Sequence, residues 1–154
     1  MGAYYCDSSA LVKRYANETG SRWVRSLTDP QAGNDIFIAH ITGIEVVAAI
    51  ARKTRMGDIS EPDAAMAIRT FKSHFTTQYQ IVLMTTVIVD RAMELVEKHR
   101  LRGYDATQLA SALVVQAELA ASGVSQLVFI SADANLNDVA QAENLSVQNP
   151  NDHP

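Results

Sequence analysis

Short apolar runs alternate with longer helical stretches along the whole chain, and this alternation constrains the fold more than any other feature of the sequence. Each run is separated from the next by the length of chain that parallel strands require, because their crossover connection needs about a dozen residues or more. The pattern therefore predicts a single α/β domain with a mostly parallel sheet of four or five strands and helices on both faces. The predicted strands are residues 3–6, 36–39, 80–84 and 127–130, with 145–147 as an edge strand.

The predicted helices begin at small polar residues or after turns. Asp7-Ser8-Ser9 has the short oxygen-bearing side chains that start a helix. The helix at 42–52 is apolar nearly all round, which predicts that it is interior. In the helix at 63–75 the apolar residues share one stripe, which either packs in the core or forms a docking surface for a partner. The other predicted helices are 21–27, 87–99, 105–121 and 133–143.

The chain has 154 residues, of which 47% are hydrophobic, and this is the size of one domain. A chain of about 150 residues buries roughly 70% of its surface on folding, so the core needs neither disulfides nor a structural zinc. Cys6 is the only cysteine, which suits a reducing compartment. The sequence shows no signal-peptide pattern and no apolar run of roughly 18 residues. We therefore expect a cytoplasmic protein without membrane contact, with one domain at 1–150 and a loose tail at 151–154.

The charge of the chain is small but segregated. A formal net charge of −4 argues against an indiscriminate nucleic-acid binder, because neutralising phosphates usually requires a basic face. All 13 lysines and arginines lie between Lys13 and Arg102, and the last third of the chain carries only acids. The meaning of this segregation depends on where the acids meet in three dimensions.

Four acidic residues fall near the carboxyl ends of the predicted strands, the edge at which open parallel sheets bind ligands. Asp7 directly follows the first strand, Asp133 lies shortly after the fourth, and Glu45 lies one turn into the helix after the second strand. Asp105 opens the long helix, and the turn before it can bring it to the same edge. Helix capping is the alternative explanation for each aspartate, and Asp105 with Gln108 has the spacing of a capping box.

Glu45 is the acid that capping does not explain. It lies among apolar residues of its helix, with no lysine or arginine within one turn, and a carboxylate there is costly unless it finds a cation or hydrogen-bond donors. An ion pair with a distant arginine is the alternative. Several carboxylates in one crevice repel one another, and a divalent cation removes that conflict. Oxygen ligands without paired His or Cys favour a hard ion, so we predict Mg²⁺ or Mn²⁺.

Four segments occur in order along the chain and carry these acids. They are Tyr-Tyr-Cys-Asp-Ser-Ser-Ala-Leu-Val-Lys-Arg-Tyr at 4–15, Glu45 in its apolar helix, Tyr-Asp-Ala-Thr-Gln-Leu-Ala at 104–110 and Phe-Ile-Ser-Ala-Asp at 129–133. Together they resemble the motifs of the PIN domain family, and specifically of its VapC-type toxins. The resemblance covers almost the whole chain and implies the PIN-like α/β fold.

The resemblance also implies a function and a set of site residues. It implies a metal-dependent endoribonuclease, made as the toxin of a toxin–antitoxin pair, usually a homodimer and silenced by a small antitoxin protein. Ser9 and Ser131 match hydroxyl positions beside the first and fourth aspartates, where helix capping or turn formation is the alternative role. Many relatives carry an acid at the position of Asn135, so its amide argues against a strongly held second metal. The implied catalytic and metal-binding residues are Asp7, Glu45, Asp105 and Asp133.

The mechanism we expect is in-line attack by a metal-bound water on an RNA phosphodiester, because the ion also stabilises charge on the phosphate. Lys13 and Arg14 are the first predicted RNA contacts, and Arg52, Lys53 and Arg55 are the next. A solvated helix face is the alternative for each of these residues. A narrow acidic crevice favours single-stranded or loop RNA as the substrate.

Three other interpretations remain open from the sequence. A phospho-receiver domain shares the alternating pattern and an acidic Mg²⁺ pocket, but it predicts a lysine after a late strand, and no lysine follows Lys98. A haloacid-dehalogenase-type phosphatase predicts a second aspartate two residues after Asp7, where Ser9 stands. A catalytically silent binding module, whose apolar helices bind a partner, is the third.

Overall fold

The computed structural model describes residues 1–124 and 126–154. Strands and helices alternate through these residues in the predicted order. They are β1 (Ala3–Cys6), α1 (Ser8–Tyr15), α2 (Ser21–Leu27), β2 (Asp35–Ala39), α3 (Thr42–Arg55), α4 (Glu61–Thr77), β3 (Gln80–Val82), α5 (Thr86–Lys98), α6 (Gly103–Ala121), β4 (Leu127–Ile130), α7 (Ala134–Ala142) and β5 (Ser146–Gln148). None of these helices combines the length and the apolar character that crossing a bilayer requires.

The strands form one parallel sheet in the order β3-β2-β1-β4-β5. The predicted α/β fold is therefore confirmed, and the edge strand belongs to it. The chain adds strands outward from β1 to β3 and then returns to the other side of β1 to place β4 and β5. The strand order thus reverses between β1 and β4, and open α/β sheets bind ligands in the crevice at such a reversal. Cys6 lies opposite Ile130 in this pair, so the residues that follow the two strands are neighbours.

Helices cover both faces of the sheet, as predicted. Tyr5 and Phe129 point to one face, where they pack with residues of α5, α6 and α7. Cys6 and Ile130, the next residues along the same strands, point to the other face and pack with residues of α1 to α4. Burial on both faces explains why the strands are continuous apolar runs without polar alternation.

Helix α3 differs from its predicted interior position. Its buried side chains are Thr42, Val46 and Ile50, which share one helical face, whereas Ile44 is 68% exposed. A helix in the outer layer of an α/β fold covers the sheet with one stripe only, so its remaining residues reach the surface. The prediction that this helix is interior is therefore wrong, and apolar side chains on its outer side are accessible.

The apolar stripe of α4 belongs to the core. Ala64 and Phe71 are buried, and Ile68 and Phe75 pack against the same cluster. Core packing therefore explains the stripe, although its Phe71 and Phe75 end also lines an apolar cavity between α3 and α4. Exposed apolar side chains concentrate instead just before α5 and on the outer side of that helix, at Leu83, Met84, Val87, Val89, Met93 and Val96.

The C-terminal residues are packed, although the sequence predicts a loose tail. Pro150–Asp152 forms a short 3-10 helix. The ring of His153 stacks on Trp23 of α2, with 4.3 Å between ring centroids and 5° between ring planes. An aromatic pair at this separation is favourable, so it ties the chain end to α2. The domain boundary at residue 150 stays a prediction.

Candidate active site

Asp7, the first predicted site residue, lies where the strand order reverses. It directly follows β1, and its backbone N–H donates to the carbonyl of Ile130 in β4 at 3.1 Å. Oδ1 accepts the N–H of Ala10 at 2.9 Å and the hydroxyl of Ser9 at 2.7 Å, and Oδ2 accepts the hydroxyl of Ser131 at 2.7 Å. Asp7 therefore caps α1, as the capping interpretation holds, and also stands at the edge where this kind of fold binds ligands.

Two serines bond to the Asp7 carboxylate, and an asparagine holds the loop that carries one of them. Ser131 Oγ accepts the N–H of Asp133 at 3.1 Å, and Ser9 Oγ accepts a backbone N–H of the β4–α7 loop at 2.9 Å. The structure thus places both serines against Asp7, the position that the resemblance implies for them. On α7, the side-chain amide of Asn137 donates to the Ser131 carbonyl at 2.8 Å. The sequence gives no signal for Asn137, because an asparagine within a helix has no spacing that points to a distant loop.

Hydrogen-bond donors satisfy Glu45, which lies in the first turn of α3. The hydroxyl of Ser8 donates to Oε2, and Nε2 of Gln108 donates to Oε1 at 3.1 Å. No lysine or arginine nitrogen lies within 4.0 Å of this carboxylate in the described ranges, so the alternative of a distant ion pair is not found there. These neutral donors reduce the cost of burying the Glu45 carboxylate but do not cancel it, because burial still raises its pKa.

Asp105 lies in the first turn of α6, which begins at Gly103 with Arg102 as its N-cap residue. The capping-box interpretation of Asp105 and Gln108 is therefore wrong, because the cap position belongs to Arg102 and Gln108 is buried against Glu45. Asp105 instead lines the same cleft as Glu45.

Asp133 lies at the margin of the acidic group that Asp7, Glu45 and Asp105 form. Its Oδ1 accepts the N–H of Leu136 at 3.1 Å and so caps α7, which agrees with the capping interpretation. Asp133 is exposed, and it is close enough to Asp105 for its charge to raise the pKa of that acid. Asn135 is exposed on the first turn of α7, and its role beside the acids stays a prediction.

Burial without a cation raises the pKa of three of the acids. Burial raises the pKa of Asp7 to about 6, although the bonds from Ser131, Ser9 and the Ala10 N–H lower it. Burial also raises the pKa of Glu45 and of Asp105, and repulsion between these two acids adds to the rise at Glu45. The acids are therefore close enough to repel one another, as the sequence predicts.

Arginines stand on the walls of the cleft that Glu45 and Asp105 line. The cleft has a volume of about 840 Å³ and is open to solvent. Arg52, Arg55 and Arg102 contribute to its walls, and none of the three forms an ion pair with another described residue. The cleft therefore combines an acidic region with free positive charge, which suits a ligand that carries phosphate groups.

Lys13 and Arg14, the first predicted RNA contacts, already have partners within the fold. Lys13 also lines the cleft, and the RNA-binding role of both residues stays a prediction. Lys13 is 5% exposed, and its ammonium donates to Glu18 at 3.1 Å and to the Thr19 carbonyl at 2.9 Å. Arg14 donates to the hydroxyl of Tyr79 at 2.7 Å and to Gln78 at 2.8 Å, outside the acidic cleft. Helix α1 packs against neighbouring helices along its last turn, so its basic residues serve the fold.

Comparison with known proteins agrees with this arrangement. The family model for the PIN domain matches residues 4–142. The chain belongs to the PIN domain family. Two curated relatives from Mycobacterium tuberculosis, Ribonuclease VapC45 of strain CDC 1551 and Ribonuclease VapC49 of strain H37Rv, are each 37% identical over 116 residues. That match spans 75% of this chain and 78% of each relative.

A solved structure supports the fold of this PIN domain. The crystal structure of VapBC2 from Rickettsia felis, bound to a DNA fragment from its promoter, superposes with a TM-score of 0.62. It covers 97% of this chain and 98% of the other, at 13% identity, so the likeness concerns the fold. The strand order 3-2-1-4-5 also differs from the 2-1-3-4-5 order of phospho-receiver domains, which excludes that alternative.

Dependence on a divalent metal is a general property of this family, and the donor set of this PIN domain fits such an ion. Asp7, Glu45 and Asp105 supply only oxygen atoms, and no described lysine or arginine pairs with any of them. Within the described ranges no three acid, histidine or cysteine side chains are grouped closely enough to hold a metal ion by themselves. An open arrangement is what Mg²⁺ uses, because it retains several waters and binds through one or two carboxylates together with substrate phosphate.

Proposed function

We propose that this PIN domain is a metal-dependent endoribonuclease that cleaves phosphodiester bonds of single-stranded or loop RNA, and that it acts as the toxin of a toxin–antitoxin pair. The observation that carries the proposal is the group of buried and half-buried acids at the strand-order reversal, which has no cation of its own in the described residues. The names of the two relatives at 37% identity, both ribonucleases, support the same conclusion.

The four acids of the group are assigned the metal-binding and catalytic roles. Asp7 and Asp105 are the principal ligands for Mg²⁺ or Mn²⁺, and Glu45 and Asp133 complete the site. When bound, the ion lowers the pKa of water and stabilises negative charge on the phosphate. Ser9 and Ser131 keep the Asp7 carboxylate oriented through the hydrogen bonds that they donate.

The walls of the cleft bind and orient the substrate. Arg52, Arg55 and Arg102 attract the phosphates on either side of the cleaved bond. Water attacks phosphorus in line with the leaving oxygen, one P–O bond forms as the other breaks, and the acid group accepts the proton of the water. No covalent enzyme intermediate is needed, because water is the nucleophile. Single-stranded or loop RNA is the proposed substrate, because proteins that recognise RNA sequence mostly bind unstacked bases.

Two apolar surfaces support the protein partners that we propose, a second copy of the chain and a small antitoxin. Val89, Met93 and Val96 form an exposed stripe on α5, at the spacing with which helices pack against each other. Beside the cleft, α3 and α4 border an apolar cavity of about 750 Å³. The exposed side chains of Ile44 and Met84 line this cavity. Exposed apolar surface of this extent marks interaction sites.

RNA cleavage by the purified protein tests the proposal. Single-stranded RNA is incubated with wild type, Asp7→Asn and Asp105→Asn, in Mn²⁺ and then in EDTA. Asp35→Asn is the matched control, because Asp35 is an exposed aspartate at the amino end of β2, on the opposite edge of the sheet. We expect cleavage by wild type and the control in Mn²⁺, and none by the other variants or in EDTA.

Two outcomes would overturn the proposal. Cleavage that survives EDTA or either site substitution would exclude the assigned mechanism. Binding of RNA or of a partner protein, without cleavage of any RNA under metal-replete conditions, would instead support the catalytically silent binding module.

A further inference from the structure

Gln108 is a buried polar side chain to which the mechanism above assigns no role. It lies on α6 and is 2% exposed. Its Oε1 accepts the hydroxyl of Tyr5 at 2.8 Å, and its Nε2 donates to Thr42 Oγ1 at 2.9 Å and to Glu45 Oε1 at 3.1 Å. Both ends of the amide are therefore hydrogen-bonded, and one of the partners is a predicted metal ligand.

The orientation of the Gln108 amide follows from its partners. If the amide were turned over, its oxygen would face the carboxylate oxygen of Glu45, and two acceptors would oppose each other. Tyr5 and Thr42 are both fully buried, so water does not replace them as partners. The amide is thus held so that its N–H group points at Glu45.

Gln108 connects the elements that carry the acid group. It follows Asp105 by one helical turn on α6, and it contacts Glu45 in the first turn of α3. On its other side it contacts Tyr5, two residues before Asp7 in the chain. No cation pairs with Glu45 in the described residues, so the Gln108 amide and the Ser8 hydroxyl are the contacts that set the carboxylate orientation.

We propose that Gln108 is a positioning residue, which holds the Glu45 carboxylate toward the cleft and thereby sets the affinity of the acid group for a divalent ion. This inference rests on the proposed function. Groups that orient metal ligands typically change metal affinity by about 10- to 100-fold when they are removed. A residue that only filled the core would change folding stability and leave metal affinity as it was.

Calorimetric titration with Mn²⁺ alone, without RNA, tests the proposal. Gln108→Met keeps the length and volume of the side chain but removes the amide, and we expect about tenfold weaker Mn²⁺ binding. In a Glu45→Gln background the same substitution should change the affinity by less than about twofold, because the partner through which it acts is already altered. Far-UV circular dichroism verifies that each variant is folded.

Thr28→Val is the matched control. It removes a buried hydroxyl that donates to the Val24 carbonyl of α2 and not to the Gln108 amide, so it tests for general loosening of the core. We expect Mn²⁺ affinity within about twofold of wild type. If Gln108→Met does not fold, Gln108→Asn, which keeps the amide but falls short of Glu45, takes its place with the same expected loss.

The outcomes separate this inference from the proposed function. Wild-type affinity in the folded Gln108 variant overturns the inference, and so does an equal loss in the Glu45→Gln background or in Thr28→Val. If wild type binds Mn²⁺ and cleaves RNA in these cases, the proposed function stands. A wild-type protein that neither binds Mn²⁺ nor cleaves RNA overturns both.

Discussion

The acid group at the sheet edge and the carboxylate of Glu143 are both removed from water, but the protein compensates them differently. The Glu143 side chain is 8% exposed and accepts from Arg91 at 3.2 Å, from Lys98 at 2.9 Å and from His99 at 2.9 Å. Burial raises its pKa, but the hydrogen bonds from His99 and Lys98 and the cationic charges outweigh burial, and the pKa is lowered. Asp7, by contrast, receives only hydroxyl and backbone donors, and its pKa is raised to about 6.

The difference separates an acid that is compensated within the chain from the acids that we propose bind a cation. Glu143 joins α5 to the end of α7 through an ion-pair network that is complete within the chain. In the described residues, the sheet-edge acids repel one another and lack such a network, so an added cation stabilises them most. Perturbed acids in a cleft are typical of functional sites.

The largest contrast should come from one glutamate substitution in each group. Glu45→Gln removes charge from the cleft and keeps the shape of the side chain, so we expect RNA cleavage to fall by about 100-fold or more. Glu143→Gln should keep the wild-type rate, because its carboxylate lies outside the cleft. Initial rates on single-stranded RNA in saturating Mn²⁺ measure both effects. An equal loss of rate in the two variants would mean that Glu45 and Glu143 do not differ in their role in RNA cleavage.

The two groups should respond to pH in opposite directions in the absence of metal. The folded-state pKa of Asp7, about 6, is above its ordinary value of 3.8, so the folded protein binds more protons in this window and loses stability as pH rises through it. Glu143 has a lowered pKa, so its stabilisation is present above the ordinary value of 4.5 and is lost as pH falls through the folded value.

Urea unfolding in EDTA from pH 4 to pH 7 measures how the free energy of unfolding changes with pH. The free energy of unfolding of wild type relative to Asp7→Asn should fall by up to about 3 kcal/mol over this range. Relative to Glu143→Gln it should rise only at the acid end of the range, near and below the ordinary value of 4.5, and stay level above it. If the free energy of unfolding changed with pH in the same way for wild type and Asp7→Asn, the raised pKa of Asp7 would be contradicted.

Mn²⁺ should stabilise the folded protein only through the sheet-edge group. At about 100 times the dissociation constant, a ligand that binds the folded state adds about 2.7 kcal/mol, which for a chain of this size raises Tm by about 5–10 °C. Scanning calorimetry should show this rise for wild type and for Glu143→Gln, and a smaller one for Asp7→Asn. The same rise in Asp7→Asn would place the bound ion elsewhere.

The smallest expected effect concerns the arginines beside the acids. Arg102→Gln should weaken RNA binding by about threefold to tenfold and reduce the slope of log affinity against log salt by about 1, because one phosphate contact is lost. Binding is measured in the Glu45→Gln background. Arg69→Gln is the control, since Arg69 is an exposed arginine of α4 outside the cleft. Equal losses in the two variants would indicate general electrostatic attraction rather than contact in the cleft.

Local pattern was sufficient to predict most of the fold and the positions of the acids. The runs at 3–6 and 127–130 became β1 and β4 without change of bounds, because a strand buried on both faces is a continuous apolar run. Helix boundaries shifted where capping depends on backbone conformation, as at α6, which begins at Gly103 and not at Asp105.

The pattern failed where packing between distant segments decides the environment of a side chain. Lys13 was predicted to be accessible, but the loop after α1 places Glu18 and the Thr19 carbonyl around its ammonium. The partner of Gln108 was misassigned for the same reason. A local spacing rule pairs it with Asp105, whereas the packing of α6 against α3 brings it to Glu45.

The amino-acid sequence alone was enough to predict a parallel α/β domain with acidic side chains near its strand ends, since periodicity and side-chain chemistry are local properties. The strand order came from the folded chain, and it is this order that places Ser131 of one loop beside Asp7 of another. The same holds for the division of the acids into compensated and uncompensated groups. Charge compensation depends on side chains that are distant in the chain, such as Arg91 and Glu143, which are 52 residues apart, and no local rule contains that information.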